Sequence, residues 1–143
     1  TTVDNWLDWG HQMPAAVVEY EKKGVHIVTA SEMDYSRSLR RSFDLIISDA
    51  DHRHAHSSFP IFMKHLNRGG MFVCHDVANP DFPNLRVIYS AVRCAGLPHL
   101  FFNASSRPDE HCQRGFLVIY NDGSRLKTAI ASLYIRLFSK KAS

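Results

Sequence analysis

The apolar residues of this chain fall into short runs that are separated by longer segments of mixed character. Each short run is rich in aliphatic, aromatic or β-branched residues and is too short to form a helix, which is typical of buried strands. We predict strands over residues 25–30, 45–48 with Phe43 before it, 71–74, 100–103 and 116–120.

Helix signals mark several of the segments between these runs. They are a proline or serine at the start, a glycine at the end, and apolar residues spaced three and four positions apart. By these signals we predict helices over residues 14–23, from Ser58 to the glycine pair 69–70, from Pro83 to Gly96, and from Ser124 through Leu137. Residues 31–42 are polar and irregular, so we predict no regular element there.

The order of these elements predicts the fold class. Strands that alternate with helices indicate parallel pairing through right-handed crossovers. We therefore predict an open, mostly parallel α/β sheet with helices on both faces. In such sheets, ligands bind beyond the carboxyl ends of the strands.

Acidic residues and histidines directly follow two of the predicted strands. The run FDLIISDADHRHAH carries Asp49, Asp51 and His52, and the run GGMFVCHD carries His75 and Asp76. Because neighbouring parallel strands end at the same edge, we expect these side chains to converge. Asp49 with Asp76 or His75 could hold Mg²⁺, which prefers oxygen ligands. The alternative is that the aspartates only form hydrogen bonds within the turn.

Proton transfer is a second chemistry open to these residues. Asp51 or His52 is a candidate general base, because partial burial at a strand end tunes the pKa of such a group. Either residue could instead only position a substrate. The alternating histidines His52, His54 and His56 are a weaker candidate for zinc, since structural zinc sites commonly include thiolates and no cysteine lies nearby.

Composition places the chain among ordinary globular domains. Its 143 residues, 45% apolar and 22% charged, suffice for one domain over residues 1–143. The sequence has no apolar run near the roughly 18 residues of a membrane span. The net charge of +3 comes from scattered residues, which argues against a nucleic-acid partner. Three cysteines without metal-ligand spacing, and no signal peptide, favour a cytoplasmic location.

The motifs FDLIISDADH and NRGGMFVCHDVANP, with a helix between them, carry a family resemblance. Together with the segment PNLRVIYSAV that follows, they resemble the second half of class I S-adenosylmethionine-dependent methyltransferases. The resemblance implies a Rossmann-like fold that transfers a methyl group from S-adenosylmethionine to a small-molecule hydroxyl or amine. It also implies a role for each residue that matches the family pattern.

The implied site has three parts. Asp4 would accept hydrogen bonds from the ribose of the cofactor, Ser31 and Glu32 would lie at the adenine, and Asp49 would complete the cofactor-binding set. Asp51 or His52 would take a proton from the acceptor. Some relatives bind magnesium after the fourth and fifth strands, and those positions correspond here to Asp49, His75 and Asp76.

One departure from the family pattern affects the whole prediction. The sequence has no G-x-G-x-x-G or similar run, and the family's first strand and glycine-rich loop have no counterpart. The resemblance therefore covers nearly all of this chain. It corresponds to only about the C-terminal two thirds of a usual methyltransferase domain. We expect either a fragment or a fold without one cofactor wall. In both cases one strand edge should lack its usual partner, which could favour a homo-oligomer.

Two other functions remain open at this point. The first is a non-catalytic methyltransferase-like module that binds a nucleotide or a protein partner. The second is a metal-dependent glycosyltransferase, because D-A-D at residues 49–51 resembles the D-x-D motif that holds the cation of a sugar nucleotide.

Overall fold

The computed structural model describes residues 1–4, 15–49, 52–103 and 114–139. Strands and helices alternate along most of this length, which confirms the predicted α/β class. In chain order the elements are β1 (Thr2–Asp4), α1 (Ala15–Lys22), β2 (Ile27–Thr29), α2 (Glu32–Ser38), β3 (Phe43–Ser48), α3 (Ala55–Lys64), β4 (Leu66–Cys74), α4 (Pro83–Ala95), β5 (His99–Phe102), β6 (Phe116–Tyr120) and α5 (Arg125–Phe138).

The strands form two sheets. Strands β1 and β2 pair in parallel as a two-stranded sheet, and the other four strands form a sheet in the order β3-β4-β6-β5. Strands β3 and β4 pair in parallel, as predicted, whereas β6 is antiparallel to both of its neighbours. Because β3 and β4 run in the same direction, the residues that follow them emerge at one edge of the sheet.

The two faces of the larger sheet differ in burial, since side chains alternate between the faces of a strand. On one face, Phe72 and Leu117 are fully buried in a core that includes side chains of α3, α4 and α5. The rings of Phe59 in α3 and Phe72 in β4 meet at a centroid distance of 5.3 Å. On the other face, apolar side chains of β3 and β5 are exposed. We predicted a layer of helices on each face of the sheet. Among the described residues, the buried face has its helical layer, formed by α3, α4 and α5.

Helix α2 is an element that the sequence analysis missed. Residues 31–42 were expected to be irregular, and this prediction was wrong for Glu32–Ser38. Ser31 caps the helix, because its hydroxyl accepts a hydrogen bond from the backbone N–H of Asp34 at 3.1 Å. Acidic residues in the first turn also favour the helix dipole. The polar sequence concealed the helix because capping, not an apolar stripe, marks its start.

The glycine pair 69–70 lies in β4 and does not end a helix, which corrects the second predicted helix. Helix α3 begins at Ala55, before Ser58, and ends at Lys64. Strand β4 then starts at Leu66 and includes both glycines. A β-carbon on Gly70 would lie 3.0 Å from the backbone oxygen of Asp44, so the close approach of β3 explains the glycine.

The later elements match their predictions closely. Helix α4 starts at Pro83 and is capped by Gly96 in the left-handed conformation. Ser124 caps α5 by accepting a hydrogen bond from the backbone N–H of Lys127. None of the helices within the described parts of the chain is both long and apolar enough to cross a membrane.

An unpaired strand edge was also predicted, for β1 or its neighbour. Strand β1 pairs with β2 and strand β3 pairs with β4, but in the described ranges neither strand has a second partner. A groove of about 540 Å³ separates them and is lined by Val3 of β1 and by Leu45, Ile46 and Ile47 of β3.

Candidate functional site

Two aspartates and two histidines meet at the carboxyl ends of β3 and β4, and we refer to Asp49, His52, His75 and Asp76 as the His/Asp cluster. Asp49 directly follows β3, whereas His75 and Asp76 directly follow β4. His52 lies in the turn before α3. Ser48 and Cys74, the last residues of the two strands, are register partners, so the residues after them lie side by side.

The distances within the cluster are those of hydrogen bonds and ion pairs. His75 Nδ1 lies 2.7 Å from Asp49 Oδ1 and 3.4 Å from Asp76 Oδ1. His52 Nε2 lies 3.5 Å from Asp49 Oδ1 and 3.3 Å from Asp76 Oδ2. One nitrogen of each imidazole therefore lies within 3.5 Å of two carboxylates.

Two buried atoms of the cluster lack a hydrogen-bond partner among the described residues. They are His52 Nε2 and Asp76 Oδ1. The side chain of Asp76 is only 10% exposed, and leaving a buried polar atom without a hydrogen bond costs about 1–3 kcal/mol. The backbone of Asp76 also has a φ of 57°, in the left-handed region. Strain and unpaired polar atoms of this kind occur at sites that bind a ligand.

Charge coupling within the cluster shifts two pKa values. The contact with His52 holds the pKa of Asp49 below its usual range, and His75 acts in the same direction against the effect of burial. The pKa of His52 is raised, chiefly by Asp49 and further by Asp76 and Glu32, while burial opposes the rise. A proton on the imidazole of His52 is therefore favoured by the carboxylates around it.

Two phenylalanine rings flank the histidines. Phe82 stacks on His52 at a centroid distance of 4.7 Å, and Phe116 of β6 lies 4.6 Å from the ring of His75. The sequence analysis missed both rings. Phe82 and Phe116 are distant from the histidines in sequence, and only the fold brings them together. Ring packing limits the rotation of the imidazoles and so fixes where their nitrogens point.

The cluster has the donor set of a metal site. One ligand atom from each of Asp49, His52 and His75 lies within 4.8 Å of the other two. The predicted set was Asp49, His75 and Asp76, whereas the three atoms that lie this close together belong to Asp49, His52 and His75. Asp76 Oδ1, which lacks a hydrogen bond among the described residues, lies 3.4 Å from Nδ1 of His75. Two imidazoles with carboxylates fit a divalent cation, and imidazole suits zinc, iron or nickel better than Mg²⁺.

Glu32 and Ser31, the predicted adenine contacts, make protein contacts in the structure. Glu32 is buried, and its carboxylate accepts hydrogen bonds from the hydroxyl groups of Ser48 at 2.9 Å and of Ser58. The hydroxyl of Ser31 caps α2 through Asp34. The Glu32 contact also joins the start of α2 to the carboxyl end of β3. The adenine role of both residues stays a prediction.

Two further predicted site residues are Asp4, whose backbone the structure describes, and Asp51, which it does not describe. Asp4 is the last residue of β1 and pairs with Thr29, the last residue of β2. Its backbone therefore lies at the carboxyl ends of these parallel strands, and the structure describes no more of this residue. Asp51, the other predicted catalytic residue, lies outside the described residues.

Comparison with known proteins establishes the fold. No protein-family model matches the sequence, and no curated protein matches it significantly. Among solved structures, the chain is similar to the O-methyltransferase from Bacillus cereus in complex with SAH. The TM-score is 0.52 at 13% sequence identity, and the match covers 67% of this chain and 50% of that one. The chain has a Rossmann-like methyltransferase fold.

The likeness to the methyltransferase extends to the fold alone at this sequence identity. The chain spans about half the length of that O-methyltransferase. Within the methyltransferase fold, the His/Asp cluster lies at the carboxyl ends of two parallel strands, which is where open α/β sheets bind their ligands.

Proposed function

We propose that this protein transfers a methyl group from S-adenosylmethionine to a hydroxyl or amine of a small molecule. The observation that carries the proposal is the His/Asp cluster at the carboxyl edge of a methyltransferase fold. SAH, which is bound in the similar O-methyltransferase, is S-adenosylhomocysteine, the product left when S-adenosylmethionine gives up its methyl group. The proposal thus combines a fold likeness with local chemistry.

His52 is the proposed general base. Its imidazole would accept the proton of the acceptor as the acceptor oxygen or nitrogen forms a bond to the methyl carbon and the carbon–sulfur bond breaks. Asp49 and Asp76 both have an oxygen within 3.5 Å of its Nε2, so they would stabilise the imidazolium that results. Such a base contributes about 10²- to 10⁴-fold, and alignment of the acceptor supplies much of the remaining rate. Asp51 is the alternative base.

The cofactor would lie along the carboxyl ends of β1, β2 and β3. Asp4 is proposed to bind the ribose, with Ser31 and Glu32 at the adenine and Asp49 beside the cofactor. Two observations support this arrangement. The backbone of Asp4 lies at the carboxyl end of β1, and the hydrogen bond from Ser48 to Glu32 brings the start of α2 to the end of β3.

A divalent cation is proposed as the alternative occupant of the His/Asp cluster, held by Asp49, His52 and His75 with Asp76 beside them; His52 would then be a ligand, and Asp51 would be the base. When bound, it would lower the pKa of the acceptor hydroxyl. The sequence indicated Mg²⁺, but the two imidazoles favour a transition metal ion.

Calorimetric titrations of MgCl₂, MnCl₂ and ZnCl₂ test this choice. We expect His75→Gln to weaken binding at least about tenfold and the exposed His54→Gln to leave it unchanged; equal binding by both variants would contradict the site.

Transfer of tritium from methyl-labelled S-adenosylmethionine to a panel of small hydroxyl and amine compounds tests the activity. We expect His52→Gln to lower the rate about 10²-fold or more. His54→Gln, in the same turn, is the matched control and should keep the activity. Circular dichroism would show that both variants are folded. Equal rates for the two variants would exclude His52 as the base.

A non-catalytic methyltransferase-like module is the second candidate, and the open groove between β1 and β3 favours it. A module of this kind would bind its partner, but it would transfer no tritium from S-adenosylmethionine to any compound of the panel.

A further inference from the structure

A second cavity lies between α3 and α5 and has a volume of about 750 Å³, within the range of roughly 300–1,000 Å³ that is typical of small-molecule sites. Its lining includes Leu66 and Arg68 near the start of β4, whereas the His/Asp cluster follows the end of this strand. None of its lining residues in the described part of the chain is acidic. We call this cavity the basic pocket, because four of its lining side chains are cations, Lys64, Arg68, Arg125 and Arg136.

Three of these cations lie where α3, β4 and α5 meet. Lys64 is the last residue of α3, and Arg125 is the first residue of α5. The side-chain amide of Asn121 joins these elements, because it donates a hydrogen bond to the first backbone oxygen of β4 at 2.6 Å. Arg68 packs against Gly123, where a β-carbon would lie 3.0 Å from the Cδ of the arginine. The fold thus gathers three positive charges near the start of α5, which is also the positive end of the helix dipole.

The charges of the basic pocket are not neutralised by the described residues. No ion pair in the described ranges involves any of its four cations. Asp122, in the turn before α5, pairs instead with Lys127 at 2.7 Å, and neither residue lines the pocket. The hydroxyl groups of Thr128 and Ser132, which do line it, donate to backbone oxygens one turn earlier in α5. The pocket therefore attracts an anion, and its cations are the donors that an anion would meet.

The remainder of the basic pocket has an apolar wall. Pro60 and Met63 of α3 and Leu133 of α5 line it, and Leu133 is 57% exposed. Leu133 follows Arg125 by eight residues, which is about 12 Å along the helix at 1.5 Å per residue. An occupant with a charged end and an apolar end therefore fits the pocket.

We propose that the basic pocket binds a small molecule that carries a phosphate group and an apolar chain. The phosphate would lie at the three cations near the start of α5, since a phosphate monoester has up to two negative charges and three free oxygens. A carboxylate has one charge and two oxygens and matches three cations less well. The apolar chain would lie along the wall between α3 and α5. A free phosphorylated compound and a phospholipid headgroup both supply this chemistry, and the proposal does not depend on methyl transfer.

Calorimetric titration with hexyl phosphate tests the proposal. We expect saturable binding with a Kd below about 1 mM. Inorganic phosphate, which lacks the apolar chain, should bind at least about tenfold more weakly, and hexanol, which lacks the charge, should not bind. Equal affinity for hexyl phosphate and inorganic phosphate, or no binding of hexyl phosphate at millimolar concentration, would overturn the proposal.

Two variants locate the binding in the basic pocket. Arg68→Gln and Arg125→Gln each remove one cation, and we expect each to weaken the binding of hexyl phosphate about tenfold. Arg37→Gln in α2 is the matched control, because it changes the net charge equally at an exposed position outside the pocket. It should keep the affinity of the unmodified chain. Circular dichroism would show that all three variants are folded, and unchanged affinity in both pocket variants would overturn the proposal.

Flotation with phosphatidylcholine vesicles that contain or lack phosphatidic acid distinguishes the two sources of the phosphate. Binding that requires phosphatidic acid and is lost in Arg68→Gln assigns the phosphate to a lipid headgroup and supports the proposal. Binding of hexyl phosphate without vesicle binding assigns it to a free compound and supports the proposal equally. An RNA oligonucleotide that binds more tightly than hexyl phosphate and needs the same two arginines would overturn it.

Discussion

Glu32 is the buried carboxylate on which three elements depend. It lies in α2 and accepts hydrogen bonds from Ser48 at the end of β3 and from Ser58 in α3. A buried carboxylate is tolerated only when such donors satisfy it. The residue therefore fixes the start of α2 against the strand end that carries Asp49.

Replacing Glu32 with alanine should destabilise the protein. Glu32→Ala leaves a buried hydroxyl on Ser48 without its acceptor, and we expect the free energy of unfolding to fall by about 2–4 kcal/mol. Glu19→Ala, which removes an exposed ion pair with Lys22 in α1, is the control and should change it by less than about 0.5 kcal/mol. Urea unfolding measures both variants. Similar losses for the two would show that Glu32 is not a structural anchor.

Cys74 should be unreactive in the folded protein. The residue is fully buried in β4, and burial raises the pKa of its thiol, so the reactive thiolate is disfavoured. In the double variant Cys94→Ala, Cys112→Ala, we expect Ellman's reagent to label Cys74 only after denaturation. Labelling of the native protein at the rate of a free thiol would show that β4 opens readily.

At the scale of elements, the two adjacent glycines of β4 should respond differently to substitution. A β-carbon on Gly70 would meet the backbone oxygens of Asn67 at 2.9 Å and Asp44 at 3.0 Å, so Gly70→Ala should cost about 1–3 kcal/mol by overpacking. Gly69 has a φ of 82° and open space around it. Gly69→Asn should cost less than about 1 kcal/mol, because asparagine tolerates this conformation. Thermal unfolding compares them, and the reverse order would contradict the register of β3 and β4.

The elements also show which features can be predicted from sequence. Strand β6 and helices α4 and α5 were predicted from apolar spacing and caps, because these are local signals. Helix α2 was missed because its face has few apolar residues, and it is held by capping and by the buried Glu32. The early part of β4 was missed because its glycines resemble a helix stop, whereas they permit close contact with β3.

At the scale of the whole molecule, strand order explains both the candidate site and the open groove. The meeting of Asp49, His75 and Asp76 was expected, because parallel neighbours end together. The ring contacts of Phe82 and Phe116 depend on tertiary packing and have no local signal. The separation into two sheets leaves the edges of β1 and β3 facing one groove.

Calorimetric titration of the folded chain with S-adenosylmethionine tests the central proposal most directly. We expect saturable binding of S-adenosylmethionine. Asp4→Ala should weaken it by about 1–3 kcal/mol, the scale of charge-assisted hydrogen bonds to the ribose, and Glu19→Ala should leave it unchanged. No binding of S-adenosylmethionine or S-adenosylhomocysteine by a folded sample would contradict the proposed methyl transfer.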